Sequence, residues 1–232
     1  MAGIFIAGTD TGVGKTLVSA ALLHAYAGLG IRGVGMKPVA AGAEPDGQGG
    51  WGNEDVASLA AASVVAAPAT LRNPYLFREA IAPHIAAERK GVTINLSEIR
   101  AAYQALTDLA EVVVVEGVGG FRVPLGPRED TADLAVALGL PIVLVVGMRL
   151  GCLNHALLTV EAMATRGLVL AGWVANSCQA EMPAYAENVA ALKQRLPAPL
   201  LAELPHAPMG LAADAASHLF APKRLMGLMS SD

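Results

Sequence analysis

Two runs in this chain, Val112-Val113-Val114-Val115 and Ile142-Val143-Leu144-Val145-Val146, are apolar at every position. A strand with one wet face alternates apolar and polar residues, so a strand with no polar face has to be covered on both sides. Candidate strands of this kind lie at Ile4–Ala7, Gly33–Val39, Val112–Val115, Ile142–Val146, Leu168–Ala175 and Leu200–Leu204. Between them run segments of helical period, near residues 15–29, 54–65, 97–110, 131–138, 154–166 and 182–196. At the head of the 97–110 segment, Asn95 and Glu98 have capping-box spacing, and Ile99, Tyr103, Leu106 and Ala110 follow one face. Strand–helix alternation with fully apolar strands specifies an α/β fold: a mostly parallel sheet, right-handed crossovers, and helices on both faces. No internal repeat or domain-sized linker interrupts the pattern, so residues 1–232 read as a single domain. The turn-rich stretch Gly42–Gly52 reads as a mobile surface loop.

Composition narrows the function classes. Apolar residues make up 54% of the chain, too many for intrinsic disorder, and 16 Lys+Arg stand against 20 Asp+Glu. Without a basic excess there is no electrostatic footprint for nucleic acid or an anionic membrane. The longest apolar stretch, Leu134–Met148, is interrupted by Gly139 and Pro141 and falls short of the roughly 18 residues of a membrane span. The N-terminus has no basic region ahead of its first apolar run, so no signal peptide is expected. Two cysteines, Cys152 and Cys178, make no disulfide framework. A soluble cytosolic protein is the expectation.

The strongest chemical signal is Gly8-Thr9-Asp10-Thr11-Gly12-Val13-Gly14-Lys15-Thr16, between the first strand and the first helix. Gly12 and Gly14 let backbone N–H groups crowd round an anion, and the helix N-terminus adds partial positive charge. Lys15 reaches the β- and γ-phosphates of a nucleotide in such a loop, and the Thr16 hydroxyl ligates Mg²⁺. The strict phosphate-loop pattern places a glycine at position 9, where this chain has Thr9, so the loop is a variant. The other reading is a glycine-rich turn with a solvated lysine. Glu116 closes the Val112–Val115 run at the strand's carboxyl end, as a metal-orienting carboxylate or as a solvated edge residue, and Gly117, Gly119 and Gly120 allow a ligand close to the backbone. Asp55 is either a second metal ligand or a helix-start residue favoured by the dipole. Lys37 precedes Pro38, which marks the strand's exit; it either joins the loop or faces solvent.

These residues, with Lys37-Pro38-Val39-Ala40-Ala41-Gly42, Asn73-Pro74-Tyr75, Ala82-Pro83-His84, Val115-Glu116-Gly117-Val118-Gly119-Gly120, Leu150-Gly151-Cys152-Leu153-Asn154-His155 and Gly172-Trp173-Val174-Ala175-Asn176, resemble the dethiobiotin synthetase family. The ordered matches run from residue 8 to about 205. The resemblance implies a three-layer P-loop fold with about seven strands, related to the partition ATPases and the nitrogenase iron protein. It implies a homodimer with the active site at the subunit interface, making dethiobiotin, ADP and phosphate from 7,8-diaminononanoate, CO₂ or bicarbonate, and ATP with Mg²⁺. Carried onto this chain, Gly12, Val13, Gly14, Lys15, Thr16 and Leu17 would wrap the triphosphate, with Glu116 and Gly119 beside it. Thr16, Asp55 and Glu116 would hold Mg²⁺. Lys37 would be the catalytic lysine, assisted by Lys15 and Thr11. Asn176 would read the adenine edge, with Pro205 lining that pocket. Ala41 would face the substrate, and Gly151 and Asn154 of the facing subunit would bind its carboxylate tail.

The chain departs from the family's better-known members at four places: Gly12 replaces an acidic residue, Ala41 a Ser or Thr, Arg149 a Lys, and His206 an aromatic residue. The alternative reading is a partition-type P-loop ATPase switch. Such relatives carry a second lysine early in the loop, where Asp10 stands, and a membrane-seeking tail that Ala221–Asp232 does not resemble. A cobalamin-pathway amide ligase would append a glutaminase domain for which 232 residues leave no room. Cys152 reads as a small buried or interface residue, and none of His24, His84, His155, His206 and His218 has metal spacing.

Overall fold

The computed structural model describes residues 2–47, 49–207 and 212–229. Six strands form the central sheet, in the spatial order Leu200–Leu204, Leu170–Ser177, Ile142–Met148, Ala2–Gly8, Val112–Glu116, Gly33–Met36. Every pairing among them is parallel. Among the described residues the count is six, against the about seven strands that the resemblance implied.

Strand period explains why these runs are apolar throughout. Successive side chains point to opposite faces. Phe5, Ala7, Val113, Val115, Leu144 and Val146 enter one core; Ile4, Ile6, Val112, Val114, Val143 and Val145 enter the other. The first core is closed by helices Leu96–Thr107, Thr131–Leu138, Cys152–Thr165 and Tyr185–Arg195, through residues such as Ile99, Leu106, Ala135, Met163 and Leu192. The second is closed by Lys15–Gly28, Glu54–Ala62, Ala213–Ser217 and Pro222–Met229, through Val18, Leu22, Leu59, Ala216 and Leu225. The architecture is therefore three-layered. Among the described residues no helix is long and apolar enough to cross a membrane. Residues 230–232 of the tail lie outside the described residues.

Three expectations need correction. The Gly33–Val39 run is two strands: Gly33–Met36 stays in the main sheet, while Val39–Ala41 pairs in parallel with Tyr75–Phe77. Pro38 has no N–H to continue the ladder, and the Lys37 N–H turns away to the Arg72 carbonyl at 2.8 Å. The Gly42–Gly52 stretch, whose Gln48 lies outside the described residues, carries a short hairpin of Glu44–Pro45 with Trp51–Gly52. Arg78 sits 4.1 Å above the Trp51 ring, a cation–π contact that anchors it. The Asn95–Glu98 capping box does not form, although Asn95 still caps the helix, through the Ser97 N–H. Glu98 instead accepts a 2.5 Å hydrogen bond from the Tyr75 hydroxyl, which in turn accepts the Asn95 N–H at 3.0 Å.

A reciprocal capping box does form elsewhere. Asp130 accepts the Ala132 and Asp133 N–H groups while Asp133 accepts the Asp130 N–H, which fixes the start of Thr131–Leu138. Asp130→Ala should lower unfolding free energy by about 1–2 kcal/mol, with Asp130→Asn losing less. Urea titration checks this, and an unchanged midpoint for the alanine variant would contradict it.

Candidate active site

Register decides what meets at the sheet's carboxyl edge. Ile6 pairs with Glu116 and Met36 with Val115, so the next residue, Lys37, comes level with Glu116. The 8–16 turn leaves the adjoining strand at the same edge, where ligands bind in parallel α/β sheets. A crevice of about 760 Å³ opens there. Thr11, Gly12, Gly14, Lys15, Thr16, Lys37, Ala41, Asp55, Glu116 and Gly119 all line it, ten of the residues singled out from sequence.

The turn has a backbone only glycine accepts at two points: φ is 71° at Gly12 and 90° at Gly14. Gly14 is constrained twice, because a Cβ there would lie 2.2 Å from Asn176 Nδ2. That nitrogen donates to the Val13 carbonyl at 2.8 Å and holds the turn from beneath. The amide orientation is thereby set, with Oδ1 as its acceptor end. Among the described residues no side chain caps helix Lys15–Gly28, and its first turn holds no acidic residue. Its leading N–H groups are left for an anion.

A charge cluster fills the base of the crevice. Lys37, only 4% exposed, places Nζ 2.5 Å from Glu116 Oε1, 2.9 Å from Asp55 Oδ2 and 3.3 Å from the Gly117 carbonyl. The Thr16 hydroxyl lies 2.7 Å from Asp55 Oδ1 and 3.0 Å from Glu116 Oε1. Burial works against the Lys37 ammonium, yet the Glu116 and Asp55 charges and their hydrogen bonds outweigh it and raise its pKa. Burial likewise opposes the Asp55 carboxylate, but Lys37 and the Thr16 hydroxyl prevail and lower its pKa. Lys15 is the contrast. Burial first, then repulsion from Lys37, lowers its pKa from 10.5 to about 8 against the pull of Glu116, Asp55 and Asp10.

The donor set suits Mg²⁺. Glu116 Oε2 is buried with no hydrogen-bond partner among the described residues, beside a hydroxyl and a second carboxylate, all hard oxygen donors. Among the described residues no group of three His, Cys, Asp or Glu could hold a metal unaided. An ion here would complete its shell with phosphate and water oxygens, which is how Mg²⁺ is usually bound at nucleotide sites.

Other predicted residues lie apart from the crevice. Val13 is buried under the turn and Leu17 is half-buried on the helix. Pro205 lines a separate cavity of about 610 Å³ with Ser177, Tyr185 and His206. Gly151, with φ of 95°, precedes helix Cys152–Thr165, which carries Asn154 one turn in. Cys152 is buried, and burial pushes its thiol pKa up. Sequence reasoning gave no role to Asn53 and Asn73. Asn53 caps helix Glu54–Ala62 and bonds the Ala41 and Gly42 carbonyls, which aims Asp55; Asn73 donates to the Lys37 carbonyl at 2.6 Å. The Asn73-Pro74-Tyr75 motif was the available signal for the second. In the apolar wall, Pro83 and Val118 fall within the Ala82–His84 and Val115–Gly120 motifs, while Ile81 and Val123 carried no signal.

A phosphate-gripping turn between a buried strand and a helix, backed by a lysine and two carboxylates, defines a P-loop nucleotide-binding protein. The family described as "AAA domain" matches residues 2–210. A MinC:MinD cell division complex from Aquifex aeolicus shares the fold, with TM-score 0.60, 13% identity, and coverage of 100% of this chain and 97% of that one. A signal recognition particle receptor FtsY from Elizabethkingia anophelis matches with TM-score 0.51 and 15% identity over 99% of this chain, which spans 65% of that one. Sequence is more specific. The chain is 56% identical over 94% of its length to an ATP-dependent dethiobiotin synthetase BioD from Aromatoleum aromaticum, of which it covers 96%. It is 52% identical over 93% of its length to another from Janthinobacterium sp., of which it covers 92%. The chain belongs to the dethiobiotin synthetase family, whose members are ATP-dependent ligases that form C–N bonds.

A polyphosphate in the turn favours the charged form of Lys15. Nucleotide binding should therefore take up a proton above pH 8, and affinity should be about tenfold weaker at pH 9 than at pH 7. Calorimetry in two buffers of different protonation enthalpy measures both effects, and constant affinity from pH 7 to 9 would contradict the assignment.

Proposed function

We propose that this chain is a homodimeric, cytoplasmic ligase, one domain per subunit, that joins 7,8-diaminononanoate and CO₂ into dethiobiotin with conversion of ATP to ADP and phosphate. The observation that carries the reading is the Lys37 ammonium, buried in the same crevice as Lys15 and between two carboxylates.

The chemistry explains the need for such a site. An alkylammonium of pKa near 10 is only about one part in a thousand neutral at pH 7, and only the neutral amine attacks CO₂. Lys15 and Lys37 beside the crevice favour loss of that proton, and the carbamate forms as the N–C bond closes and the attacking nitrogen releases a second proton to solvent. The carbamate oxygen then attacks the γ-phosphorus, giving a carbamic–phosphoric anhydride and ADP. Two anions meet in this step, and the Lys15 and Lys37 ammonium groups, with the Thr11 hydroxyl and the Gly12–Leu17 backbone, offset their repulsion and steady the transferred phosphoryl group. The second amine finally attacks the activated carbonyl, closes the urea ring and expels phosphate. Thr16, Asp55 and Glu116 would hold Mg²⁺, which when bound would supply further positive charge to the phosphate oxygens. Apolar Ile81, Pro83, Val118 and Val123 exclude water that would hydrolyse the anhydride, and they suit an alkyl chain.

The remaining assignments have their own support. Asn176 Oδ1, turned outward by the Nδ2 bond to Val13, complements the 6-amino group of adenine, and Pro205 lines the neighbouring cavity. Gly119 offers backbone beside Thr11, and Ala41 presents a methyl group to the substrate. Gly151 and Asn154 would receive the substrate's carboxylate from across a dimer contact. Leu150 supports that contact, since it is an apolar side chain 96% exposed in the single chain.

ADP release should require both 7,8-diaminononanoate and bicarbonate, with a urea product; substrate-independent ADP release would favour the partition-type switch. Lys37→Gln should reduce kcat by about a hundredfold or more while leaving ATP affinity within about threefold. Near-normal turnover by that variant would remove Lys37 from the chemistry.

A further inference from the structure

The nucleotide turn is held from beneath by Asn176, and a second clamp grips its other end. Thr9 N–H donates to the Val145 carbonyl at 3.0 Å, and the Gly147 N–H donates back to the Thr9 hydroxyl at 3.3 Å. These bonds lace the start of the turn to the strand Ile142–Met148. Where the turn leaves that strand, Asp10 takes over. Its Oδ1 accepts the Thr11 N–H at 2.7 Å, its backbone carbonyl accepts Lys15 Nζ at 3.2 Å, and its Oδ2 is ion-paired with Arg149 Nη2.

We propose that Arg149 is a positioning residue for nucleotide binding: by pairing with Asp10, it fixes the Thr11 amide and the Lys15 ammonium and cancels a negative charge at the mouth of an anion site. The inference rests on the reading that the 8–16 turn holds the triphosphate. Both partners are partly exposed, at 39% and 47% of their side chains, and as a lone surface ion pair they would count for little. Three features make this pair different. Asp10 contacts two groups of the turn through atoms other than the paired oxygen, so its position is transmitted to them. The turn contains two glycines in the left-handed region, Gly12 and Gly14, whose backbone has more conformations open to it than other residues, so a contact that pins the turn narrows them. A carboxylate without a cation, one residue from Thr11, would repel the incoming polyphosphate. Arg149 also precedes Leu150 and Gly151, so a rival role in the substrate-tail segment has to be separated by measurement.

Direct binding of Mg·ATP, followed by calorimetry on the full chain, separates them, with KM values for ATP and 7,8-diaminononanoate alongside. Arg149→Ala should weaken ATP binding by about tenfold and raise the ATP KM to match, with kcat at saturating ATP and the diamine KM within about twofold. Arg149→Lys should stay within about threefold of the parent. Adding Asp10→Asn to Arg149→Ala should recover most of the lost affinity, because no unpaired carboxylate remains; a merely structural role for the pair predicts a further loss instead. If Arg149→Ala does not fold, Arg149→Met keeps the aliphatic stem and carries the same expectations. Unchanged ATP affinity in the neutral variant, or a change confined to the diamine KM, would overturn the inference. A parent chain that binds no ATP would overturn the function proposed for the turn itself.

Discussion

The Lys37 ammonium, buried between Glu116 and Asp55 at the edge of the sheet, is the interaction on which the rest of the molecule turns. It ties the exits of two strands to the helix Glu54–Ala62, and through the Thr16 hydroxyl to the nucleotide turn. A buried charge is tolerable only when paired, and removing one member leaves the others uncompensated. The four charged groups, Lys15 and Lys37 against Asp55 and Glu116, sum to zero. On the function proposed, a polyphosphate arriving with a divalent cation would meet a site that is locally neutral but strongly polarised, and the same atoms would serve packing and chemistry.

That arrangement depends on a loop that departs from the usual phosphate-binding pattern without losing its geometry. Thr9 stands where the strict pattern has glycine, and its hydroxyl is used by the Gly147 N–H. Gly14 is indispensable for a different reason: Asn176 lies against it, so any side chain would collide with the residue that holds the loop. Asp10, which stands where partition-type relatives carry a lysine, accepts from the loop on two of its atoms, Oδ1 and the backbone carbonyl, and from Arg149 on a third.

How much of this was legible in the sequence follows from the kind of signal each part carries. The all-apolar runs showed the doubly covered sheet because only a buried strand dispenses with a polar face, and the two cores bear that out. Lys37 and Glu116 were visible as charges at the ends of such runs, but their contact was not, since register across three strands is a tertiary property. Asp55 proved to be both a helix-start residue and a member of the cluster. The Glu98 capping role failed because Tyr75, distant in sequence, offered its hydroxyl to both partners. Val39–Ala41 and Tyr75–Phe77 are strands too short for period to declare, and Val118 and Val123 look like any apolar loop residues until the crevice is seen.

On the function proposed, Lys37 and the two carboxylates act at the terminal phosphate of a nucleotide seated in the 8–16 turn. A crystal structure with Mg²⁺, a non-hydrolysable ATP analogue and the diamine tests it most directly. The expected result is metal density on Thr16, Asp55 and Glu116, with Lys37 Nζ within hydrogen-bonding distance of the γ-phosphate. A nucleotide bound elsewhere, or Lys37 still confined to the carboxylates and remote from the γ-phosphate, would contradict it.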